Sequence, residues 1–173
     1  YRACATGGTT GVRAVMVYDQ AAWEHTAANA LRVMRATGAS PGARFVGIGA
    51  PSPQHLSCRL FDELRLGRPE VPRLNVTMPM HDIVAALNDF QPEAIATYPS
   101  FIRQLAEEQL AGRLRISTRC FHSVAEALMR DVRDIARQAW GAIVFDRFST
   151  TETAIAGTEC ESGCGIHLPE DLV

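Results

Sequence analysis

The sequence contains no lysine, because all 17 of its cationic side chains are arginine. This absence excludes Schiff-base chemistry and a P-loop phosphate lysine from this stretch. No signal-peptide pattern and no apolar run long enough to cross a membrane appears. The net charge of −2 at pH 7 leaves no basic excess for nucleic acid or an anionic membrane. Neither nucleic acid nor a membrane is therefore expected as a partner.

Cysteine is also scarce, with five residues, an odd number without the density of a disulfide scaffold. A reducing cytoplasm is the expected location. The hydrophobic content of 47% and the charged content of 21% are ordinary for a globular domain. We therefore expect residues 1–173 to form one domain, or part of one.

Short β-rich runs alternate with amphipathic segments. The predicted strands are 15–18, 44–48, 74–77, 94–97, 115–118 and 143–147. The predicted helices are 20–36 with Asp19 as N-cap, 55–66, 82–90, one with Pro99 in its first turn, and 128–140. In the last helix the residues expected to face inward are Leu128, Val132, Ile135 and Ala139. This alternation favours an α/β fold with a largely parallel sheet flanked by helices. Ligands then bind at the carboxyl ends of the strands, in the loops that follow them.

A loop rich in glycine and threonine lies near the N-terminus and consists of Thr6, Gly7, Gly8, Thr9, Thr10 and Gly11. Glycines let backbone N–H groups approach an anion, and threonine hydroxyls add neutral donors. The spacing is neither that of a Walker loop nor that of a dinucleotide-binding GxGxxG. The loop indicates a phosphate site, and a Gly/Thr-rich hairpin turn is the alternative.

A second segment follows the last predicted strand and consists of Phe148, Ser149, Thr150, Thr151 and Glu152. Its ring can stack on a base, its hydroxyls can donate to a phosphate, and its carboxylate can bind Mg²⁺. The alternative is a Ser/Thr-rich turn in which Glu152 caps a helix.

A third segment, Val124-Ala125-Glu126, also follows a strand. Its small residues would let the backbone approach a flat ring. Glu126 is equally well explained as a first-turn acid of the next helix, where the helix dipole favours a negative charge.

Taken together and in order, these motifs resemble the adenylate-forming superfamily of acyl-CoA synthetases and adenylation domains. Within it, the chain is similar to the phenylacetate-CoA ligase branch, which the segments 96–100, 159–160 and 165–171 also resemble. The resemblance implies part of the large N-terminal domain of such enzymes. It also implies a two-step reaction, in which ATP and a carboxylic acid give an acyl-adenylate and pyrophosphate, and coenzyme A then takes the acyl group.

Carried over by position, the resemblance assigns roles to the three segments. Residues 6–11 would bind the β- and γ-phosphates of ATP. Residues 124–126 would border adenine, and Phe148 would stack on it. Thr151 would bond the α-phosphate and Glu152 would hold Mg²⁺.

The chain departs from the family pattern in several places. Val12-Arg13 stands where the family loop continues with Lys-Pro, and Phe148 stands where tyrosine is usual. The family's ribose-binding aspartate and its C-terminal lid with a catalytic lysine are not found within residues 1–173. These departures leave two alternatives open: a non-catalytic nucleotide-binding fragment, or an adenylyl transferase that lacks the thiol step. An incomplete domain would also expose apolar surface, so self-association into a homo-oligomer is expected.

Cys160, Cys164 and His167 are of the residue types that bind zinc, and they lie close together in the sequence. In the resembled branch, structural zinc involves a cysteine and this histidine, completed by a later Cys-X-Cys pair that residues 1–173 lack. A fourth ligand would come from the group Cys58, Cys120, His55 and His122 if the fold brings one of them near. The alternative is a reduced loop with free thiols. His55 and His122 are also candidates to line an acyl pocket with Tyr98 and Phe101.

Overall fold

The computed structural model describes residues 1–7, 11–38, 42–64 and 70–170. Its elements in chain order are β1 Arg2–Ala5, β2 Val15–Tyr18, α1 Gln20–Ala36, β3 Phe45–Gly49, α2 Leu56–Leu64, β4 Leu74–Asn75, α3 Met80–Phe90, β5 Ala94–Thr97, α4 Pro99–Leu110, β6 Cys120–Ser123, α5 Arg130–Trp140, β7 Ile143–Thr150, β8 Ala154–Glu159 and β9 Ile166–His167. None of the helices in these ranges is long and apolar enough to cross a membrane.

Seven strands form one sheet in the order β4-β3-β5-β6-β7-β8-β9. The neighbours from β4 to β7 are parallel, whereas β8 and β9 add antiparallel pairs at one end. Strands β1 and β2 form a separate antiparallel hairpin. The predicted α/β architecture with a largely parallel sheet is therefore confirmed, and the carboxyl ends of five parallel strands share one edge.

The sheet is covered on both faces, because alternate side chains of its strands enter two different clusters. Apolar residues of α3, α4 and α5 pack against Val46, Ile95, Phe121 and Val144 on one face. Residues of α1 and α2 pack against the other face, which Phe45, Ala94, Cys120 and Phe145 form. This second face leads to the candidate site.

Helix α2 approaches β3 closely because β3 carries two glycines. A Cβ atom on Gly47 would lie 2.3 Å from Cγ of Phe61, and one on Gly49 would lie 3.3 Å from Cε2 of the same ring. Real Cβ contacts are almost never that short, so only glycine admits the Phe61 ring at this position.

Several boundaries match the sequence-based prediction. Strands 15–18 and 94–97 and helix 20–36 are confirmed, and Asp19 caps α1 by accepting from the amide of Ala22 at 2.8 Å. Pro99 occupies the first turn of α4, as predicted. Strand 74–77 ends already at Asn75, whose side chain accepts from the amide and hydroxyl of Thr77 and turns the chain. The predicted end of the second helix, at Leu66, lies outside the described residues.

The prediction of a strand over Arg115–Thr118 is wrong. Burial alternates along this segment as it does in a strand, but side chains rather than a neighbouring strand form hydrogen bonds with its backbone. Gln109 bonds both the amide and the carbonyl of Ile116, and Asn88 accepts from the amide of Arg115. The strand that joins the sheet is β6, which is buried throughout.

The last predicted helix begins two residues later than expected, at Arg130. Its fully buried residues are Val132 and Ala136, whereas the predicted inward residues Ile135 and Ala139 are half-buried. Leu128 precedes the helix and packs against the core from there. The buried face of the helix therefore differs from the predicted one, because the prediction counted Leu128 as the first residue of that face and Leu128 lies before the helix.

Candidate functional site

A cavity of about 400 Å³ opens at the carboxyl ends of the parallel strands. It is bounded by α2, by the β1–β2 hairpin and by the end of β7. Eight of the predicted site residues line it: Thr6, Gly7, Val124, Ala125, Ser149, Thr150, Thr151 and Glu152. Three stretches far apart in the sequence therefore meet at one place. Two of them follow strands of the parallel sheet, as expected, and the third belongs to the separate β1–β2 hairpin.

The Gly/Thr loop connects the two strands of the β1–β2 hairpin. Its base is closed by two hydrogen bonds of 3.0 Å, from the Thr6 amide to the Ala14 carbonyl and from the Ala14 amide to Thr6 Oγ1. Gly11 has φ +89°, which favours glycine. The predicted phosphate residues Gly8, Thr9 and Thr10 lie outside the described residues. The loop therefore joins the two strands of a hairpin, as the alternative prediction held, and Thr6 and Gly7 at its start line the cavity.

The hairpin is held against the body of the protein at two places. The amide of Ala5 donates to the carbonyl of Gln54, in the loop after β3, at 2.8 Å. Arg13 Nη1 donates to Gln54 Oε1 at 3.5 Å. The Arg13 side chain is therefore directed at Gln54.

Trp23 of α1 provides the apolar anchor of this hairpin and is only 1% exposed. Its ring meets the Tyr18 ring edge-on with centroids 5.7 Å apart, and the Arg2 guanidinium lies 5.0 Å from its centroid. Its Nε1 donates to Glu63 of α2 at 3.1 Å. The Tyr18 hydroxyl also donates to the carbonyl of Thr151. The hairpin and the end of β7 are therefore joined through one packed cluster.

The segment Phe148–Glu152 is less of a loop than predicted. Strand β7 continues through Thr150 and turns at residues 151–153 into β8, with a register shift between Phe148 and Ser149. Arg147 and Ser149 line the cavity, whereas Phe148 does not and is 55% exposed. Glu152 is exposed at the turn. The predicted alternative, in which Glu152 caps a helix, is wrong because a strand follows.

The segment Val124–Glu126 follows β6. Ala125 has φ +64°, an uncommon conformation for a residue with a Cβ, and it lines the cavity. Glu126 does not belong to the next helix, as one interpretation held. Its carboxylate instead accepts from the amide and hydroxyl of Ser100 at 3.0 and 2.9 Å and so caps the start of α4.

Of the two histidines predicted to line an acyl pocket, the structure places one on the cavity and the other in the core. His55 and Tyr98 line the cavity, and the Tyr98 hydroxyl accepts from the amide of Ala50 at 3.0 Å. His122 and Phe101 are buried and do not line it. Burial, and then the charge of Arg147, hold the pKa of His122 well below its usual value, so its ring is neutral at pH 7.

Sequence reasoning missed Arg147, which is only 6% exposed and lines the cavity. Its Nε and Nη2 atoms are buried without a hydrogen-bond partner. Burial lowers the pKa of its guanidinium to about 9, so it keeps its charge at pH 7. The one signal in the sequence was a cationic residue at the end of a predicted strand that begins with three apolar residues.

The three predicted zinc ligands lie together. The ligand atoms of Cys160, Cys164 and His167 are all within 4.8 Å of one another, and no other His, Cys, Asp or Glu within the described ranges joins this group. Hydrogen bonds, first from Ser162 and then from Cys164, lower the pKa of the exposed Cys160 thiol to about 6. The fold does not bring Cys58, Cys120, His55 or His122 to this group.

A second cleft of about 340 Å³ lies between α2 and the β3–β4 edge. Gly47, Gly49 and Phe61 line it, and Phe61 also lines the first cavity. None of the predicted nucleotide residues in the described ranges borders this cleft.

No protein-family model matches the sequence, and no curated protein matches it. Solved structures do match. The 2-hydroxyisobutyryl-CoA ligase in complex with 2-HIB-AMP and CoA superposes with a TM-score of 0.77 at 20% identity, covering 96% of this chain and 37% of that one. A luciferase-like enzyme from the mealworm Zophobas morio gives a TM-score of 0.65 at 14% identity, with 98% and 37% covered.

The anthranilate CoA ligase AuaEII in complex with anthranoyl-AMP gives a TM-score of 0.65 at 13% identity, covering 94% of this chain and 32% of that one. The chain thus spans 37% of the length of the first of these structures. It has the fold of part of the N-terminal domain of adenylate-forming acyl-CoA ligases.

Proposed function

We propose that this chain, which has the adenylate-forming ligase fold, is the nucleotide-binding core of an enzyme that activates a carboxylic acid with ATP and transfers the acyl group to coenzyme A. The single observation that carries the proposal is that Thr6, Ala125 and Thr151 line one cavity together with Glu152. We further assign the chain to the phenylacetate-CoA ligase branch and the acid to the aryl or acyl class. The five free thiols are consistent with a cytoplasmic setting.

The proposed roles follow from what each part of the cavity offers. The backbone of 6–11 donates to the β- and γ-phosphates, as glycine-rich turns do. Residues 124–126 border adenine with their backbone, which fits a Glu126 carboxylate already bonded to Ser100. Phe148 lies outside the cavity lining but is 55% exposed, so it can stack on a base that extends beyond the cavity, and Thr151 donates to the α-phosphate.

Magnesium fits the residues present at the turn after β7. The Glu152 carboxylate is exposed on the cavity lining, and no cation of the described residues pairs with it. Mg²⁺ prefers one or two carboxylates plus phosphate oxygens and would neutralise developing phosphate charge. Glu152 would hold the ion, while the hydroxyls of Ser149, Thr150 and Thr151 orient the phosphate and the wall of α2 excludes water.

Glu152→Gln is expected to weaken binding of ATP by about tenfold or more when Mg²⁺ is present, since a neutral amide is a poorer ligand than a carboxylate. Without Mg²⁺ the two proteins should bind ATP equally. Isothermal titration calorimetry measures both. Glu107→Gln, an exposed acid on α4 away from the cavity, is the matched control and should bind like the wild type. Equal affinities of Glu152→Gln and wild type in Mg²⁺ would remove Glu152 from the site.

Two activity assays distinguish the proposed ligase from a non-catalytic binding module and from an adenylyl transferase. Pyrophosphate exchange that depends on a carboxylic acid would reject a non-catalytic binding module. Consumption of coenzyme A in the same reaction would reject an adenylyl transferase that stops at the first step.

We also propose a structural zinc ion on Cys160, Cys164 and His167, because these three donors converge. The chain supplies three ligands, so the fourth position belongs to water or to a group outside the described residues. Bound zinc would crosslink the end of β8 to β9.

Zinc titration is expected to give one ion per chain and to raise the melting temperature, since binding to the folded state stabilises it. Cys164→Ser should weaken zinc affinity by about tenfold or more. Cys58→Ser, which removes a half-buried thiol outside the group, is the control and should leave zinc affinity unchanged. A wild-type protein that binds no zinc, or equal effects of both substitutions, would contradict the assignment.

A further inference from the structure

The candidate cavity contains a buried cation that no group among the described residues neutralises. Arg147 is 6% exposed, and its Nε and Nη2 atoms have no hydrogen-bond partner there. The side chain lines the cavity. A guanidinium has five N–H donors, and a buried charge without a partner is costly. Both unpartnered nitrogens are closed off from solvent, so a ligand in the cavity would reach these unused donors by a rotation of the Arg147 side chain.

Within the described residues no carboxylate is bonded to Arg147, and the nearest acidic influence on its sheet face is that of Glu161, which acts on Cys120. The parallel register pairs His122 of β6 with Phe145 of β7, so Arg147, two residues further on, shares a sheet face with His122 and Cys120. Burial raises the pKa of the Cys120 thiol to about 11, so Cys120 is neutral at pH 7, as is His122. The one carboxylate on the described lining, that of Glu152, is exposed at the far turn.

Phe145 stacks on His122 with ring centroids 5.8 Å apart, so Arg147, two residues further along β7, extends from the part of the strand that adjoins the end of β6. The backbone of Arg147 lies four residues before Thr151, or about 13 Å of extended strand. Arg147 and the turn with Thr151 and Glu152 therefore line different parts of the cavity. An acid held at that turn would direct its tail toward Arg147.

We propose that Arg147 binds a second carboxylate on the acid, so that the cavity selects dicarboxylic acids over monocarboxylic acids of the same length. A carboxylate matches the fork of N–H donors in a guanidinium and supplies the missing negative charge. The inference rests on the proposed function, because that function puts the reacting carboxylate at Thr151. It makes Arg147 a residue that determines specificity.

The direct test compares acids of equal carbon number by isothermal titration on the wild-type chain. Glutarate should bind at least about tenfold more tightly than pentanoate, and adipate more tightly than hexanoate, because charge-assisted bidentate pairs are the stronger hydrogen bonds. Equal or weaker binding of the diacids would overturn the proposal. Binding of 5-hydroxypentanoate as tight as that of glutarate would also overturn it, since a hydroxyl carries no charge.

Two variants make the assignment to Arg147 specific. Arg147→Met keeps the length of the side chain without its charge and should remove the preference for glutarate while improving binding of pentanoate. Arg147→Lys keeps the charge without the fork and should retain part of the preference. A preference that survives in Arg147→Met would place the diacid site elsewhere. Circular dichroism confirms folding, and the wild-type comparison decides the matter even if one variant does not fold.

Binding of ATP distinguishes failure of this inference from failure of the proposed function. ATP and Mg²⁺ binding without any preference for diacids overturns the role of Arg147 and leaves the proposed function intact. A diacid preference that Arg147→Met removes, in a chain that binds no ATP, supports the carboxylate site and overturns the ligase proposal.

Discussion

Trp23→Ala is expected to lower the free energy of unfolding by about 3–5 kcal/mol, the usual cost of emptying a buried tryptophan site. The indole is 1% exposed and contacts Tyr18, Arg2 and Glu63, which belong to three different elements. No neighbour can fill the space without moving the hairpin. Urea denaturation followed by circular dichroism measures the change.

The same substitution should weaken ATP binding, because the hairpin that carries the Gly/Thr loop is anchored on this ring. Trp23→Phe is the control: it keeps an aromatic ring beside Tyr18 and removes the hydrogen bond to Glu63, so it should cost about 1–2 kcal/mol. An alanine variant as stable as the phenylalanine variant would show that the hairpin is not anchored by Trp23.

Arg147→Met is expected to raise the free energy of unfolding by about 1–4 kcal/mol in the absence of any acid, because replacing buried charge with apolar side chains is often stabilising. The guanidinium is buried and two of its nitrogens are unpaired. Methionine fills similar space with a flexible apolar chain. Urea denaturation in a carboxylate-free buffer measures the difference, since a carboxylate in the buffer would bind the wild type and mask it.

Arg133→Met provides the matched control with the opposite sign. The Arg133 guanidinium donates to the carbonyl of Val144 at 2.7 Å and to both oxygens of Glu159 at 2.9 Å. Removing it takes a donor from each of these acceptors, although Glu159 Oε2 keeps the amide of Asp146, and should lower the free energy of unfolding by about 1–3 kcal/mol. If Arg147→Met destabilised the chain as much as Arg133→Met does, the cavity charge would have a partner within the protein.

Periodicity predicted the elements whose buried residues recur at helical or strand spacing. Helix α1 and strand β5 match their predicted bounds because local pattern and tertiary burial agree there. Strand β6 was missed because its four residues are all buried and show no alternation, while residues 115–118 alternate without pairing. Strand β8 pairs antiparallel with β7, and β9 pairs antiparallel with β8, which strand–helix alternation does not predict.

The candidate site was predictable as three segments but not as a shape. That Ala125 and Thr151 meet follows from the rule that loops gather at the carboxyl edge of a parallel sheet. Thr6 joins them because the separate β1–β2 hairpin is attached to the loop after β3 through Ala5 and Gln54. The capping of α4 by Glu126 depends on a tertiary contact with Ser100, and the isolation of Arg147 depends on what β6 places around it. Ser100 is distant from Glu126 in the sequence, and β6 is distant from Arg147, so no local sequence pattern indicates the cap or the isolation of Arg147.

The Phe61 ring separates the candidate cavity from the second cleft and lines both. The ring lies directly against the backbone of Gly47 and Gly49, so a ligand that displaced it in one space would change the shape of the other. If both spaces held ligands, their occupancies would be thermodynamically linked, and the linkage would be reciprocal: whatever one ligand did to the affinity of the second, the second would do equally to the first.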